Sequence, residues 1–561
     1  MKKELKTLSV IICSGYFFIT AQTLFAQTSF SKRTVASGFN SAWEVVYGPN
    51  DSLWVTENKS YLISRVSIAT GVKTVLVDLR ATDASINFTA SGGTQPQGGL
   101  MGLVIHPSLF SADPVVRAAK PWVYAAYVYN RGSCPGTNTS CIFTAKIVRF
   151  DYDGNTLSNP VTILNTIPGS SDHNSGRLVI SPVIEPGADA SHTQYRLYYT
   201  VGDMGAGQFL NTTRTENAQN VNIMEGKVLR LNTEIDGDGG QDNWVPNDNP
   251  FYSAPLITPQ DYVFSLGHRN AQGLVWGNVN GTNFLYSSEQ MDRTDDEINI
   301  IEPGKNYGWD QVSGYCDDNV NGYRIGQNNS ADEQVFCNAN LAANKEPIFT
   351  MFTATAAQMP ALMAETNNAL WPTIACSSIE FYGSNIIPGW NKSLLITPLK
   401  KNMIYRVKLN TAGDGIIGDT ISYFRGDGDR IRRITAAPDG FKFYVARDLS
   451  ASLNGGTIME YTYTGPLLAI NDAREKPAVV KNLVQVYPNP VLNLLYIQGK
   501  KEMRKPLLGQ LYNINGMMMK EITSYTNKFS IDISSLPRGI YIFKLFNTFD
   551  VEMQIEKIIK L

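Results

Sequence analysis

Short runs of β-branched and aromatic residues alternate along this chain with turns rich in Gly, Pro, Asn and Asp. Leu53–Thr56, Trp122–Tyr129, Leu197–Val201, Phe284–Ser287 and Phe441–Val445 are examples. Each is long enough for one strand and too short for a packed helix. Similar turns precede several of them: Gly48-Pro49-Asn50, His106-Pro107-Ser108, Ser181-Pro182 and Ala437-Pro438-Asp439-Gly440. Such residues set backbone angles that a helix cannot use. A turn-then-strand unit recurring at irregular spacing over 27–466 predicts an all-β fold, a β-propeller with long insertions. A pair of β-sandwiches would write much the same local pattern.

The two ends read differently. Lys2, Lys3 and Lys6 precede an interrupted apolar stretch from Leu8 to Ile19, and small residues lead to Ala26 before Gln27. This predicts a secretory signal peptide over 1–26, since the stretch falls short of the ~20 apolar residues a membrane anchor needs. The last segment, 483–561, follows a linker over 467–482. It opens Val486-Tyr487-Pro488-Asn489-Pro490, alternates through Leu495-Tyr496-Ile497 and Leu511-Tyr512-Asn513-Ile514-Asn515-Gly516, and closes Leu536-Pro537-Arg538-Gly539-Ile540-Tyr541. Seven short strands in a small β-sandwich fit this spacing. The YPNP opening and the L-P-x-G-x-Y close resemble the C-terminal sorting domain of the type IX secretion system. That resemblance implies an export address, a partner in the secretion machinery, and a secreted or cell-surface location.

Charge sharpens these boundaries. The chain of 561 residues carries a net charge of −2. Residues 27–480 hold 34 basic and 43 acidic residues, or −9, and 481–561 hold 11 and 6, or +5. An acidic body excludes nucleic acid as an expected partner. A hydrophobic fraction of 43% with 11% aromatic residues excludes a disordered chain. Of the six Cys, Cys13 leaves with the leader, Cys134 with Cys141 and Cys316 with Cys337 are candidate pairs, and Cys376 is left over.

Four His make each one informative. His106 and His192 read as structural. His268 precedes Arg269-Asn270, and His173 lies in the loop Ser171-Asp172-His173-Asn174-Ser175-Gly176-Arg177. A His acts as a general base when a carboxylate fixes its tautomer, and Asp203, just beyond the strand Tyr198–Val201, is the candidate. Cations gather at Arg269, at Lys400-Lys401 and at Arg430-Ile431-Arg432-Arg433, which read as loops. They are either solvated surface charge or a pocket for a polycarboxylate. Asp295-Asp296-Glu297 and Asp317-Asp318 offer hard oxygen ligands. Asp236-Gly237-Asp238 opens a stretch only partly like an EF-hand loop, read as a turn.

From Phe39 to Tyr463 these loops resemble the soluble PQQ-dependent sugar dehydrogenases. The matching stretches run in the family's order: Gln97-Gly98-Gly99-Leu100-Met101-Gly102, Asp172 to Leu178, Gly226 to Asn232, Leu266-Gly267-His268-Arg269-Asn270, Asp295 to Asn299, Asn306-Tyr307-Gly308-Trp309, Trp371-Pro372-Thr373, Pro398-Leu399-Lys400, and Arg430-Ile431-Arg432. The resemblance implies a six-bladed propeller that oxidises an aldose at its anomeric carbon to the lactone and passes hydride to pyrroloquinoline quinone (PQQ). It implies His173 as base, Asp203 as its support and Arg269 beside them. It places Gln97, Asp172 and Gln208 on the sugar, and Arg269, Asn270, Trp371, Thr373, Lys400, Arg430 and Arg432 on PQQ. Calcium would sit on the carbonyls of Met291 and Asp292, where the family has Gly-Pro. A second calcium would use Glu297, Tyr307, Ser313, Tyr315 and Asp317. A family Tyr is Asn368 here, and 319–366 aligns to nothing clear. The preferred sugar and the electron acceptor stay unnamed, and a homodimer stays open. Two other readings remain: a non-catalytic propeller that binds glycan or protein, and a calcium-dependent lactonase-type hydrolase.

Overall fold

The computed structural model describes residues 29–88, 96–132, 142–185, 193–208, 211–236, 244–253, 256–325, 328–329, 332–425, 430–448, 454–465, 484–499, 507–513, 518–546 and 552–561. The leader over 1–26, the linker over 467–482, the Cys134/Cys141 pair, His192 and most of the Asp236 loop lie outside them.

The body is built from four-stranded antiparallel sheets in chain order. The first holds Ala42–Gly48, Ser52–Glu57, Leu62–Ser67 and Lys73–Asp78; the second holds Leu100–Ile105, Trp122–Arg131, Phe143–Tyr152 and Leu157–Gly169. The third holds Leu178–Ile180, Arg196–Val201, Lys227–Asn232 and Val263–Leu266; the fourth holds Asn270–Val279, Thr282–Gln290, Asp296–Ile300 and Phe349–Met351. The fifth holds Cys376–Tyr382, Ser393–Pro398, Ile404–Leu409 and Ile416–Tyr423. The sixth joins Arg430–Ala436, Lys442–Asp448 and Gly456–Tyr463 to the N-terminal strand Phe30–Phe39, which pairs with Gly456–Tyr463. Both ends of the body thus share one sheet.

The first strands of successive sheets touch in cyclic order, and that of the sixth returns to that of the first. Burial follows this order. Second strands such as Ser52–Glu57 and Arg196–Val201 are buried throughout, whereas the fourth strand Ile416–Tyr423 holds only exposed and half-buried positions. Buried inner strands and an exposed outer strand are what a sheet with one solvated edge requires.

The strand directions position the site. In an antiparallel four-stranded sheet, the turn from second to third strand and the connection from fourth strand to the next sheet emerge at the same end. His173, Gln97, Arg269 and Thr373 lie on connections between sheets, while Asp203, Gln208, Met291 and Lys400 lie on second-to-third turns. All therefore rise on one face. Arg430-Ile431-Arg432-Arg433, expected as a loop, instead begins a strand, because Ile431 and Ile434 are core positions. A bulge between Ile431 and Arg433 interrupts the alternation, and Arg432 and Arg433 both find interior partners.

The described residues of the tail form two sheets of three and four strands. One orders Val484–Tyr487, Leu494–Gly499 and Lys528–Asp532; the other orders Met518–Ser524, Leu507–Asn513, Gly539–Phe546 and Glu552–Lys560. They share one apolar core of Val484, Leu495, Ile497, Leu511, Phe543 and Ile558 among others.

Candidate active site

His173 sits in the connection between the second and third sheets, with its backbone at φ 46°. A β-carbon in this left-handed region costs on the order of 1–2 kcal/mol. Ser175 (φ 53°) and Gly176 (φ 90°) share the tight loop. The loop is held by Asn174, whose side chain bonds both the amide and the carbonyl of Ser170. Gly202 makes room for it: a Cβ there would stand 1.9 Å from the His173 carbonyl oxygen. Gly202→Ala must therefore displace the His173 backbone, and it should cost about 1–3 kcal/mol of stability, read by denaturant melts.

The imidazole is 5% exposed and its Nδ1 lies 2.8 Å from Oδ1 of Asp203, which is fully buried. Asp203 also accepts from the amide of Gly205 at 2.8 Å and from the indole of Trp309 at 3.0 Å. With Nδ1–H donated to Asp203, Nε2 is the free acceptor, and the side-chain amide of Gln208 stands 2.9 Å from it. Gln208 in turn accepts from Arg269 at 2.9 Å. Gln97 donates to Asp172 Oδ1 at 2.6 Å, and the same oxygen is 3.8 Å from His173 Nε2. Thus His173, Asp203, Asp172, Gln97, Gln208 and Arg269 form one connected group.

The predicted cation shell adjoins it. Arg269 donates to the carbonyls of Gln290 at 3.0 Å and Met291 at 2.8 Å, lies 3.7 Å from Asp292 and packs its guanidinium 5.2 Å from the Trp309 ring. Asn270 bonds Gln290 and Ser175. Lys400 donates to Thr373 and lies 5.4 Å over the Trp371 ring. Burial pushes Lys400 below its ordinary range, and the nearby Arg269 and Lys401 add to this against Asp296. Arg432 donates to Gln272 at 3.0 Å; burial, then the charge of Arg430, brings it down to about 10. The buried Nε–H groups of Arg269, Arg430 and Arg432 meet no protein acceptor. Unspent buried guanidinium donors fit a ligand with several carboxylates.

The oxygen ligands divide. Asp296, pushed up to about 6 by burial, accepts from the amides of Met291, Ile374 and Ala375 and ties the Met291 turn to the Thr373 connection. Glu297 is buried and accepts from Gly314 and Asn299. The Tyr307 phenol faces elsewhere, donating to the Ile300 carbonyl, with its ring stacked on His268. Tyr315 is half-buried and Asp317 exposed. Among the described residues no three His, Cys, Asp or Glu side chains are grouped as a metal cage. Asp295 Oδ1, Ser313 Oγ, Asn319 Oδ1 and Glu333 Oε2 are nevertheless buried without partners, and burial pushes Glu333 up to about 8. Glu333 and Asn319 went unnoticed in the sequence because they lie in the stretch that aligned poorly. The helix Glu333–Ala339 that brings Glu333 in is tied down by the Cys316–Cys337 disulfide. His268, between Glu289 and Ser265, and His106, which caps a short turn through Ser108, are structural.

Comparison with known proteins identifies the family of the body and of the tail. A profile of the Glucose / Sorbosone dehydrogenase family matches residues 39–341 and 350–455, so the alignment breaks over a shorter stretch than expected. A secretion system C-terminal sorting domain profile matches 485–560. The chain is 31% identical over 483 residues to quinoprotein glucose dehydrogenase B of Acinetobacter calcoaceticus, covering 78% of this chain and 91% of that one. It is 28% identical over 240 residues to an aldose sugar dehydrogenase of Escherichia coli, covering 42% of this chain and 52% of that one. The crystal structure of the soluble aldose sugar dehydrogenase of Escherichia coli in its apo form superposes with a TM-score of 0.53 at 20% identity, over 78% of this chain and all of that one. The chain belongs to the glucose/sorbosone dehydrogenase family, and it ends in a secretion-system C-terminal sorting domain.

Proposed function

We propose that this chain is an exported quinoprotein that oxidises an aldose at its anomeric carbon to the lactone, with His173 as general base. The observation that carries this reading is the buried His173–Asp203 pair, with Nε2 turned towards Gln208 and Arg269. Asp203 holds the tautomer whose Nε2 takes the hydroxyl proton, and stabilises the imidazolium that results. Gln97, Asp172 and Gln208 orient the sugar through hydroxyl hydrogen bonds. Arg269, Asn270, Trp371, Thr373, Lys400, Arg430 and Arg432 would hold PQQ, and their spare buried donors suit its three carboxylates. When bound, PQQ supplies the two-electron acceptor for the hydride that leaves the sugar. Reconstitution with PQQ and calcium, followed by dye reduction over a sugar panel, tests the reading.

The six sheets are read as the blades of a propeller over 27–466, and the two tail sheets as a sandwich over 483–561. The signal peptide over 1–26 and the sorting domain would carry the protein out of the cell. The electron acceptor and a homodimer stay unassigned. The first strands converge on the Arg177–Glu44–Arg433 ion pairs, where cations rather than a set of free carboxylates gather, which favours the quinoprotein reading over a lactonase.

Calcium would take the Met291 and Asp292 carbonyls, where the Asp292 carboxylate adds a favourable charge. A second ion would draw on Glu297, Ser313, Tyr315 and Asp317 rather than the Tyr307 phenol, which is spent on Ile300, with Asp295 and Glu333 added on the strength of their unpartnered oxygens. Calcium at 100-fold its Kd should stabilise the chelator-treated protein by about 2.7 kcal/mol. The rise in Tm should shrink in Glu333→Gln; an unchanged Tm in both proteins would remove calcium from the account.

A further inference from the structure

Two carboxylates converge on one donor behind the candidate base. Trp309 Nε1 donates to Asp203 Oδ2 at 3.0 Å and to Glu216 Oε2 at 3.3 Å. Asp203 spends its other oxygen on His173 Nδ1 and the Gly205 amide. Glu216 spends its other oxygen on the Ala218 amide at 2.9 Å. Two anions sharing a single N–H, one fully buried and the other partly so, repel, and the pair is relieved when one of them takes up a proton.

We propose that Glu216 is a positioning residue for the base: it holds a proton beside Asp203, so that Asp203 is the anion that fixes the His173 tautomer, and its ionisation is felt at His173. The surroundings favour this division. Burial first, then the charges of Asp203 and Asp310, hold Glu216 well above the usual carboxylate range. Glu225, on the same loop, adds a further negative charge, though Arg214 pairs with it at 2.6 Å. Lys227 feels the Glu216 charge, but its ammonium donates to the main-chain carbonyls of Asn217, Ala218 and Glu225. On the far side of His173 stand Asp172 and Arg269, and Arg269 is already engaged with Gln208 and Met291. Of the two carboxylates beside the imidazole, Asp203 at 2.8 Å is the one that hydrogen-bonds it, and Asp172 lies 3.8 Å off.

The sign of the coupling follows. While Glu216 is neutral, the Trp309 pair presents one negative charge to the imidazole, besides that of Asp172. When Glu216 ionises, a second negative charge beside Asp203 makes imidazolium more favourable and the free base scarcer at a given pH. Turnover should therefore climb with pH less steeply than a lone imidazole would give, a consequence that rests on the proposed sugar oxidation. The inference itself is tested without turnover.

The full chain, with ring-¹⁵N-labelled histidine, carries only four imidazoles. The His173 signals, assigned by their loss in His173→Gln, should show an inflection above the usual carboxylate range that reports Glu216. Glu216→Gln, which mimics the protonated acid, should delete that inflection and leave the His106 and His268 signals in place. The same inflection in Glu216→Gln, or none in the wild type, overturns the proposal. Should Glu216→Gln not fold, Trp309→Phe removes the shared donor and must move the inflection; an unmoved one overturns it equally. A protein that shows the inflection but oxidises no sugar would sink the proposed function and leave this coupling standing.

Discussion

His173→Ala in the PQQ- and calcium-loaded protein should lower kcat by about 10²–10⁴, the range for loss of a positioned general base. The expectation comes from geometry. Asp203 is fully buried and its Oδ1 is 2.8 Å from Nδ1, so the imidazole is held in one tautomer and one orientation. The left-handed backbone at His173 is retained at a cost, and such strain persists where the surroundings over-determine it. Alanine also occupies that region at a cost, so the variant's fold should be checked by its melt. Asp203→Asn should fall in the same direction, because an amide cannot stabilise imidazolium. Steady-state dye reduction reads both, with PQQ binding measured separately. If His173→Ala turns over like the wild type, the base lies elsewhere.

The second large effect lies at the ring axis. Glu44 is 2% exposed, yet it faces both Arg177 and Arg433, the latter at 2.7 Å. Arg177 also donates to the carbonyls of Gln272 and Ser377 and stacks 4.1 Å over Trp43; Arg433 also reaches Glu380 at 3.0 Å. One cluster thus ties the first, third, fourth, fifth and sixth sheets together. Burial brings Arg177 down to about 10, far above neutral pH, so it stays charged in the core. Glu44→Ala leaves two buried guanidiniums short of a counter-charge and should destabilise the body by about 3–5 kcal/mol. Against a total of roughly 5–15 kcal/mol this is a large share. Equilibrium denaturation measures it, and Glu44→Gln should lose less because it keeps acceptors in place. A loss below about 1 kcal/mol would mean that the cluster is dispensable.

The strands were legible because period-two alternation and turn residues are local signals. Leu53–Thr56 and Leu197–Val201 fall inside observed strands, and the described residues of the tail hold seven strands. Phe441 is an exception: the strand starts at Lys442, after the Pro438-Asp439-Gly440 turn. The candidate base was legible through its loop and its resemblance. What tunes it was not. Trp309 reaches Asp203 across 106 residues, from an insertion between third and fourth strands of another sheet. Glu44, Arg177 and Arg433 lie far apart in the chain and look like ordinary strand or surface charges until the ring brings them together. Arg433, counted among loop cations, is a core residue for that reason. Pairing across sheets is a property of closure, and no local window contains it.

The most direct test of the whole account is an absorbance titration of the purified apo-protein with PQQ in the presence of calcium. A single saturable change in the quinone band, reaching its plateau near one equivalent and weakened in Arg432→Ala, is the predicted result. A spectrum that stays that of free PQQ throughout, in wild type and variant alike, would contradict the claim that these cations share one redox ligand.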